Sequence, residues 1–295
     1  MAIFMQLLLR SLETGSVYAL AALGIIIIYR TSNITHFAQG AMGMFNTFAV
    51  TFFFLYGRMP LWMAVLMGIG TAFLMGVVVD LVIIRRAKRI APISKQIITL
   101  GLIMVILGLA STVFGVDPLP LPKLIQGGEF DVLGATISYN AVFNIVFGLA
   151  LMSLFFYILQ RTKWGLAVRT TASNELTARL MGVPTKTVTM VAWALAGVLG
   201  VLSGVMIAPA TKVDLNVLDA VQINALIACV LGGFQSFYGP VIGAYIIAIA
   251  KNMIVFYGQP IGLDVWGEQL VLLSILVFII FRPNGIIGKK IVKKV

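Results

Sequence analysis

The chain has 295 residues, of which 60% are hydrophobic and 11% charged, so it has too little polar surface for a water-soluble globule of this size. Its single cysteine, Cys229, excludes an intramolecular disulfide, and its single histidine, His36, leaves a zinc site without the usual ligands. The net charge of +11 comes from short basic blocks beside apolar runs, a pattern typical of membrane orientation signals and not of nucleic-acid binding. We therefore expect an integral membrane protein, embedded in a lipid bilayer, that needs no metal or other cofactor.

Eight apolar stretches follow in chain order, each long enough or nearly so to cross a hydrocarbon core of about 30 Å. They are Ile3–Tyr29, Ile34–Tyr56, Leu61–Ile84, Ile97–Phe114, Ala141–Leu159, Thr187–Ala208, Ala225–Ala250 and Val265–Phe281. The first lacks a basic leader and a small-residue cleavage site, so it is interpreted as a span and not as a signal peptide. The predicted fold is an all-α, polytopic helix bundle that forms a single transmembrane domain over residues 1–295.

Three basic blocks predict which ends of the spans face the cytoplasm. Their basic residues are Arg85, Arg86, Lys88, Arg89 and Lys95; Arg161, Lys163, Arg169, Arg179 and Lys186; and Arg282, Lys289, Lys290, Lys293 and Lys294. The positive-inside rule places all three blocks in the cytoplasm, including the carboxyl terminus. The opposite loops are poorer in basic residues, and one of them, residues 116–140, has the prolines and alternating apolar residues of an extended segment or small hairpin.

One stretch conflicts with this orientation unless it is broken. If Ala225–Ala250 were a single span, the basic tail would lie outside, against the positive-inside rule. The conflict disappears if Val217–Phe234 enters the membrane and Pro240–Tyr257 returns, with a turn at Gln235–Gly239 where glycines and a proline interrupt the run. We therefore predict a broken-helix hairpin near residues 225–257 and nine crossings, or eight if one is a half-span.

The loop 161–186 is the one polar interval long enough to hold structure of its own. Ser173 or Asn174 can cap a short helix there, Glu175 suits its first turn, and Leu176 and Leu180 share one face. Gly182 and the proline that follows end the helix. From periodicity alone, the helix could rest on lipid headgroups or dock into a partner.

Polar residues in and beside the second span predict a lined pathway. His36, Gln39 and Asn46 need partners within an apolar run, and Gly40 permits close helix approach beside them. Packing or an interfacial position remains the alternative for His36. The glycine break at Gly232 and Gly233 is the other predicted wall of this pathway, because broken helices at membrane depth face protein or water.

The sequence lacks the motifs of catalysis. No G-x-x-x-x-G-K-[ST] pattern is present to cradle phosphates, and no H-E-x-x-H or aspartate-rich pair occurs. We expect a non-enzymatic protein that does not itself bind ATP.

Four stretches in chain order resemble permease subunits of branched-chain amino-acid ABC importers. They are Gly15–Gly24 with Ile28–Arg30 and His36–Gly40; the loop segment 165–183; Val230–Gly243; and Phe281–Gly288. Two departures are visible: Leu176 and Thr177 stand where the family's loop begins its E-A-A triplet, and the family often reads N-F-A-H/Q-G-E where this chain has His36 first and Ala41 last.

The resemblance implies an alternating-access subunit in a prokaryotic plasma membrane. Its partners would be two cytoplasmic ATP-binding subunits, a second permease subunit and an external solute-binding protein. We expect the second permease to be a different chain, with a homomeric pair as the alternative. It also implies that the loop couples the permease to the ATPases through Glu175, Leu176, Ala178, Arg179, Leu180 and Gly182. The solute stays open, since related permeases for amides, urea, nucleosides or sugars share the pattern, and a stand-alone secondary transporter or channel would have a similar composition.

Overall fold

The computed structural model describes residues 2–87, 92–132, 134–262 and 265–288, and over these residues the protein is a helical bundle with one small hairpin. The elements in chain order are α1 Ala2–Ser32, α2 Gln39–Leu55, α3 Leu61–Val78 with a π-helical extension Val79–Ile84, α4 Pro92–Phe114, β1 Glu129–Val132, β2 Ala135–Ser138, α5 Tyr139–Arg161, α6 Lys163–Ser173, α7 Glu175–Leu180, α8 Thr185–Thr211, α9 Asp219–Gly232, α10 Gly239–Gly258, a 3₁₀ turn Gln259–Ile261 and α11 Gly267–Phe281. The predicted all-α polytopic bundle is confirmed.

Helix α1 forms the centre of the bundle because it is apolar on every side over most of its length. It packs against α5, α8, α9 and α10. The run Ile25–Ile28 is fully buried, although four consecutive residues point in all directions around a helix.

Glycines bring α8 close to its neighbours. A Cβ on Gly76 of α3 would lie 2.4 Å from the Trp193 carbonyl oxygen, and a Cβ on Gly43 of α2 would lie 2.8 Å from the Gly200 carbonyl oxygen. Close backbone contact at small residues is a common way to pack helices in a membrane, where the hydrophobic effect does not drive helices together. Helices α2 and α3 are therefore fixed tightly to α8.

Six helices in the described chain are long and apolar enough to cross a membrane: α1, α3 with its π extension, α4, α5, α8 and α10. Helices α9 and α11 are shorter and apolar. The predicted broken hairpin is confirmed, since α9 ends at Gly232 and α10 begins at Gly239. The predicted outer hairpin is confirmed as the antiparallel pair β1 and β2. The number of crossings stays a prediction.

The described parts of the three basic blocks lie at one end of the bundle, called here the basic end. Arg85 donates a 2.8 Å hydrogen bond to the Lys186 carbonyl oxygen, which joins the first two blocks. The Ile286 N–H donates to the Leu231 carbonyl oxygen at 2.8 Å, which brings the chain after α11 to the turn between α9 and α10. Lys88, Arg89 and the basic residues after Gly288 lie outside the described residues.

The opposite end, called the hairpin end, carries β1 and β2. There Leu119 pairs with Val213 in an isolated antiparallel bridge, just after the end of α8. The basic blocks and the loops that are poorer in basic residues thus lie at opposite ends of one bundle, as the charge pattern predicts.

Candidate functional sites: a basic-end helix and the meeting point of two half-helices

Helix α7 is capped at both ends by its own residues. The Asn174 side chain accepts a 3.0 Å hydrogen bond from the Thr177 N–H, so Asn174 and not Ser173 is the N-cap. At the other end, Gly182 has φ +81°. The Gly182 N–H donates to the Arg179 carbonyl oxygen at 3.0 Å, and the Val183 N–H donates to the Ala178 carbonyl oxygen at 3.0 Å. This pair of bonds is a Schellman motif, which requires the left-handed conformation that glycine adopts without cost.

The faces of α7 differ sharply. Ala178 is buried with 2% of its surface exposed, whereas Leu176 and Leu180 are 68% and 81% exposed. Two leucines one turn apart on a charged surface form an unpartnered apolar ridge. An exposed ridge of this kind can rest on lipid headgroups or dock into another protein.

Helix α7 is tied to the membrane helices through arginines. Arg179 forms an ion pair with Glu175, and its Nε donates to the Thr185 hydroxyl at 2.9 Å at the start of α8. Arg85 bonds the buried Asp80 carboxylate at 2.9 Å and also holds the start of α8. Arg179 therefore links α7 to α8, and Arg85 links α8 to the π-helical extension of α3.

Helix α2 begins deep inside the bundle. Gln39 donates to the Ala21 carbonyl oxygen at 3.0 Å, eleven residues before the end of α1 and so about 17 Å from the basic end. A Cβ on Gly24 would lie 2.1 Å from the Gln39 amide nitrogen, so only glycine leaves room for this side chain. Residues 33–38 return into the bundle without helical structure to reach this depth.

Helix α9 also begins inside the bundle, where it meets the start of α2. The Gly40 N–H donates to the Gln222 side chain at 2.9 Å, and the Gln222 amide donates to the His36 carbonyl oxygen at 3.2 Å. Two short helices therefore direct their amino-terminal, electropositive ends at one interior point. Discontinuous helices of this kind are typical of solute sites in transporters.

The remaining residues predicted to line the path lie in two places. His36 packs edge-on against Trp193 with ring centroids 4.5 Å apart, and Asn46 donates to the Met42 carbonyl oxygen at 2.7 Å. Both side chains are buried, His36 three residues before Gln39 and Asn46 about two turns after it along α2. Gly232 and Gly233 lie at the basic end instead, where a Cβ on Gly233 would meet the Asn284 carbonyl oxygen at 2.4 Å. The structure does not bring this glycine pair to Gln39, and a role for these residues in the path stays a prediction.

Four polar residues escaped the sequence analysis, two at the start of α9 and two that join α10 to α11. Gln222 and Asp219 begin α9, and they are polar residues in an apolar run just as Gln39 is. The same signal could have identified them. Lys251 and Glu268 form a 2.7 Å ion pair between α10 and α11, which the wide spacing of the two residues hides in the sequence.

Comparison with known proteins places the chain in a family. The family described as branched-chain amino acid transport system / permease component matches residues 7–280. The chain belongs to this family. It is 28% identical over 300 residues to the probable branched-chain amino acid transport permease protein LivH of Methanocaldococcus jannaschii, covering 94% of this chain and 91% of that protein.

Two bacterial relatives cover nearly the whole chain. The high-affinity branched-chain amino acid transport system permease protein LivH of Escherichia coli K12 is 28% identical over 99% of this chain and 98% of its own length. The corresponding permease protein BraD of Pseudomonas aeruginosa is 26% identical over the same shares. The family relation therefore covers the whole bundle, including both candidate sites.

Proposed function

We propose that this chain is the permease subunit of an ATP-driven importer and forms the path for branched-chain or other hydrophobic amino acids. The names of its full-length relatives support the solute class. The sequence has no phosphate-cradling motif, so ATP hydrolysis is assigned to cytoplasmic partner subunits. The remaining proposed partners are a second permease subunit of a different chain and an external solute-binding protein.

The observation that carries the proposal is the apolar ridge of α7 at the basic end. In a prokaryotic plasma membrane the positive-inside rule puts this end, and with it the carboxyl terminus, in the cytoplasm. Leu176 and Leu180 would there enter a groove of an ATP-binding subunit, with Gly182 and the Asn174 cap fixing the helix ends. Glu175 and Arg179 would fix the position of the ridge relative to α8, through their ion pair and through the Arg179 bond to Thr185.

The proposed path runs along α9 from the meeting point with α2 to the basic end. Within the described residues, Gln39 Oε1 and His36 Nδ1 are buried without a hydrogen-bond partner, which favours water or solute nearby. Gly40 adjoins them, Asn46 lies one to two turns along α2, and Gly232 and Gly233 would form the cytoplasmic end of the same wall.

A charge on the apolar ridge tests coupling. In proteoliposomes with all proposed subunits, Leu180→Glu should lower solute-stimulated ATP hydrolysis and import at least about tenfold, because a carboxylate cannot enter an apolar groove unpaired. Leu180→Met keeps an apolar side chain of similar volume and should retain both activities. Wild-type coupling in the glutamate variant would return α7 to the lipid-surface interpretation.

The solute class needs its own measurement, because one relative that matches less than half of this chain has a different solute in its name. The autoinducer 2 import system permease protein LsrC of Shigella flexneri is 30% identical over 43% of this chain. Import of leucine, isoleucine and valine should exceed import of urea, an amide or ribose. The reverse order would reject the amino-acid assignment while leaving the coupling helix in place.

A further inference from the structure

A groove opens between α4 and α9 on the outer surface of the bundle, and its floor is the first turn of α2. It encloses about 270 Å³, close to the lower limit of about 300 Å³ for small-molecule pockets. Its apolar lining includes Leu100, Ile103, Ile223 and Leu226, and its polar side chains are Asp219 and Gln222. Apolar side chains therefore form most of the wall, with two polar side chains from one turn of α9.

The depth of Asp219 makes this groove unusual. A Cβ on Gly204 of α8 would lie 3.4 Å from Leu218 Cδ1, and Gly204 precedes the last residue of α8 by seven positions, or about 10 Å of helix. Asp219 is nevertheless exposed. Across the residues described, no cationic side chain pairs with it. A carboxylate at this depth is costly against lipid and marks a water-filled or ligand-binding surface.

The opposite charge of the groove comes from the backbone of α2. The first turn of a 17-residue helix carries a partial positive charge and N–H groups without intrahelical acceptors. The Gly40 N–H is taken by Gln222 at 2.9 Å, whereas the Ala41 N–H has no acceptor in the described part of the chain. Gln222 therefore positions α9 against α2, and Ala41, whose N–H is left without an acceptor, lines the floor of the groove.

We propose that this groove binds the zwitterionic solute during transport. The ammonium group would lie against Asp219, the carboxylate against the Ala41 N–H at the amino end of α2, and an aliphatic side chain against Leu100, Ile103, Ile223 and Leu226. Charge complementarity selects a zwitterion because a negative side chain and a positive helix end border one apolar wall. This inference rests on the proposed function, and it adds the groups that recognise the solute.

Import by the complete reconstituted transporter tests the role of Asp219. With leucine and saturating binding protein, Asp219→Asn should lower the import rate at least about tenfold, and Asp219→Glu should retain more of it. Asp214→Asn makes the same chemical change five residues earlier, outside the groove, and should import within about twofold of the unaltered protein. Import by Asp219→Asn at the unaltered rate would overturn the proposal.

Cysteine labelling separates a solute site from a structural carboxylate. In a Cys229→Ala background, Asp219→Cys and Ile223→Cys should react with a membrane-impermeant, positively charged thiol reagent. Leu276→Cys, at a position that is 60% exposed on the apolar α11, should not react.

Ile223 is apolar and half-exposed, so its variant remains informative even if Asp219 variants fail to assemble. Absence of labelling at position 223, or cross-linking of that position to a helix of the second permease, would show that the groove is a packing surface and overturn the proposal.

The two proposals fail in different ways. If the unaltered transporter imports no branched-chain amino acid, the proposed function is rejected. If it does, and the Asp219 and Ile223 variants behave like the unaltered protein, only the groove is rejected.

Discussion

At the scale of single residues, backbone contacts at glycine decide the close packing around α8. Gly76 faces the Trp193 carbonyl oxygen, and an added Cβ would lie 2.4 Å away. Gly70, on the same helix, has no atom within 4 Å of the position that a Cβ would take. The two glycines therefore offer a matched pair in which helix propensity is equal and only the packing differs.

Gly76→Ala should destabilise the protein by about 1–3 kcal/mol, because α3 must move away from α8. Gly70→Ala should be neutral or stabilising by up to about 1 kcal/mol, since alanine favours the helix. Unfolding midpoints of the purified variants in detergent measure both effects. Equal midpoints for the two variants would mean that α3 and α8 do not pack through Gly76.

Sequence reasoning identifies Gln39 and His36 as unusual because their polarity contrasts with their neighbours. It cannot assign their partners. The Gln39 side chain bonds the Ala21 carbonyl oxygen, 18 residues away, and the His36 carbonyl oxygen accepts from Gln222, 186 residues away. Pairings of this length depend on the final packing of α1, α2 and α9. The periodicity of residues within one helix therefore does not predict these contacts.

At the scale of elements, α7 shows how local chemistry can fix a short helix. The sequence leaves Ser173 and Asn174 open as N-caps, and the structure selects Asn174 through its 3.0 Å bond to the Thr177 N–H. Helix α7 has only six residues, so its end bonds supply much of its order. The end of α7 at Gly182 is predicted from the sequence for a similar reason, because the N-cap and the glycine that ends the helix both depend only on neighbouring residues.

Asn174→Ala should destabilise α7 by about 1 kcal/mol, since the cap is lost, whereas Ser173→Ala should have little effect. Hydrogen–deuterium exchange of the peptide containing residues 174–183 measures this opening directly. Faster exchange in the Ser173 variant than in the Asn174 variant would assign the cap to the other residue.

The half-helices are the elements that sequence reasoning describes least well. The prediction gives Val217–Phe234 as a crossing, but α9 has 14 residues and begins below the hairpin end of α8, so it spans only about 21 Å. Likewise the predicted span Ile34–Tyr56 contains a helix only from Gln39 to Leu55. Both segments are apolar enough to cross, so hydropathy does not show that their helices begin at Gln39 and Asp219, where the folded chain joins them through the bond between Gly40 and Gln222.

At the scale of the whole molecule, charge predicts the arrangement well because the positive-inside rule depends on the count of basic residues in each loop and not on how the helices pack. The break between α9 and α10 was inferred from a conflict between charge and span count, and the structure confirms it with glycines in direct contact: a Cβ on Gly232 would lie 2.0 Å from the Gly239 carbonyl carbon. The chain after α11 then packs on this turn, which brings the described part of the carboxyl-terminal region to the basic end.

Cysteine accessibility tests the resulting topology in the Cys229→Ala background, where Cys229 is fully buried and its loss removes the only native thiol. Gly128→Cys and Gln259→Cys should react with an impermeant maleimide added outside intact spheroplasts. Position 128 lies beside the β-hairpin, and the 20 residues of α10 carry position 259 about 30 Å from the basic end, enough to cross the hydrocarbon core. Lys163→Cys and Arg282→Cys should react only after permeabilisation, because the positive-inside rule retains both basic blocks in the cytoplasm. The contradicting outcome is no labelling of position 259 in intact spheroplasts while position 128 is still labelled. It would mean that the α9 and α10 hairpin contains one crossing fewer, and that α11 and the carboxyl-terminal basic block have the opposite orientation.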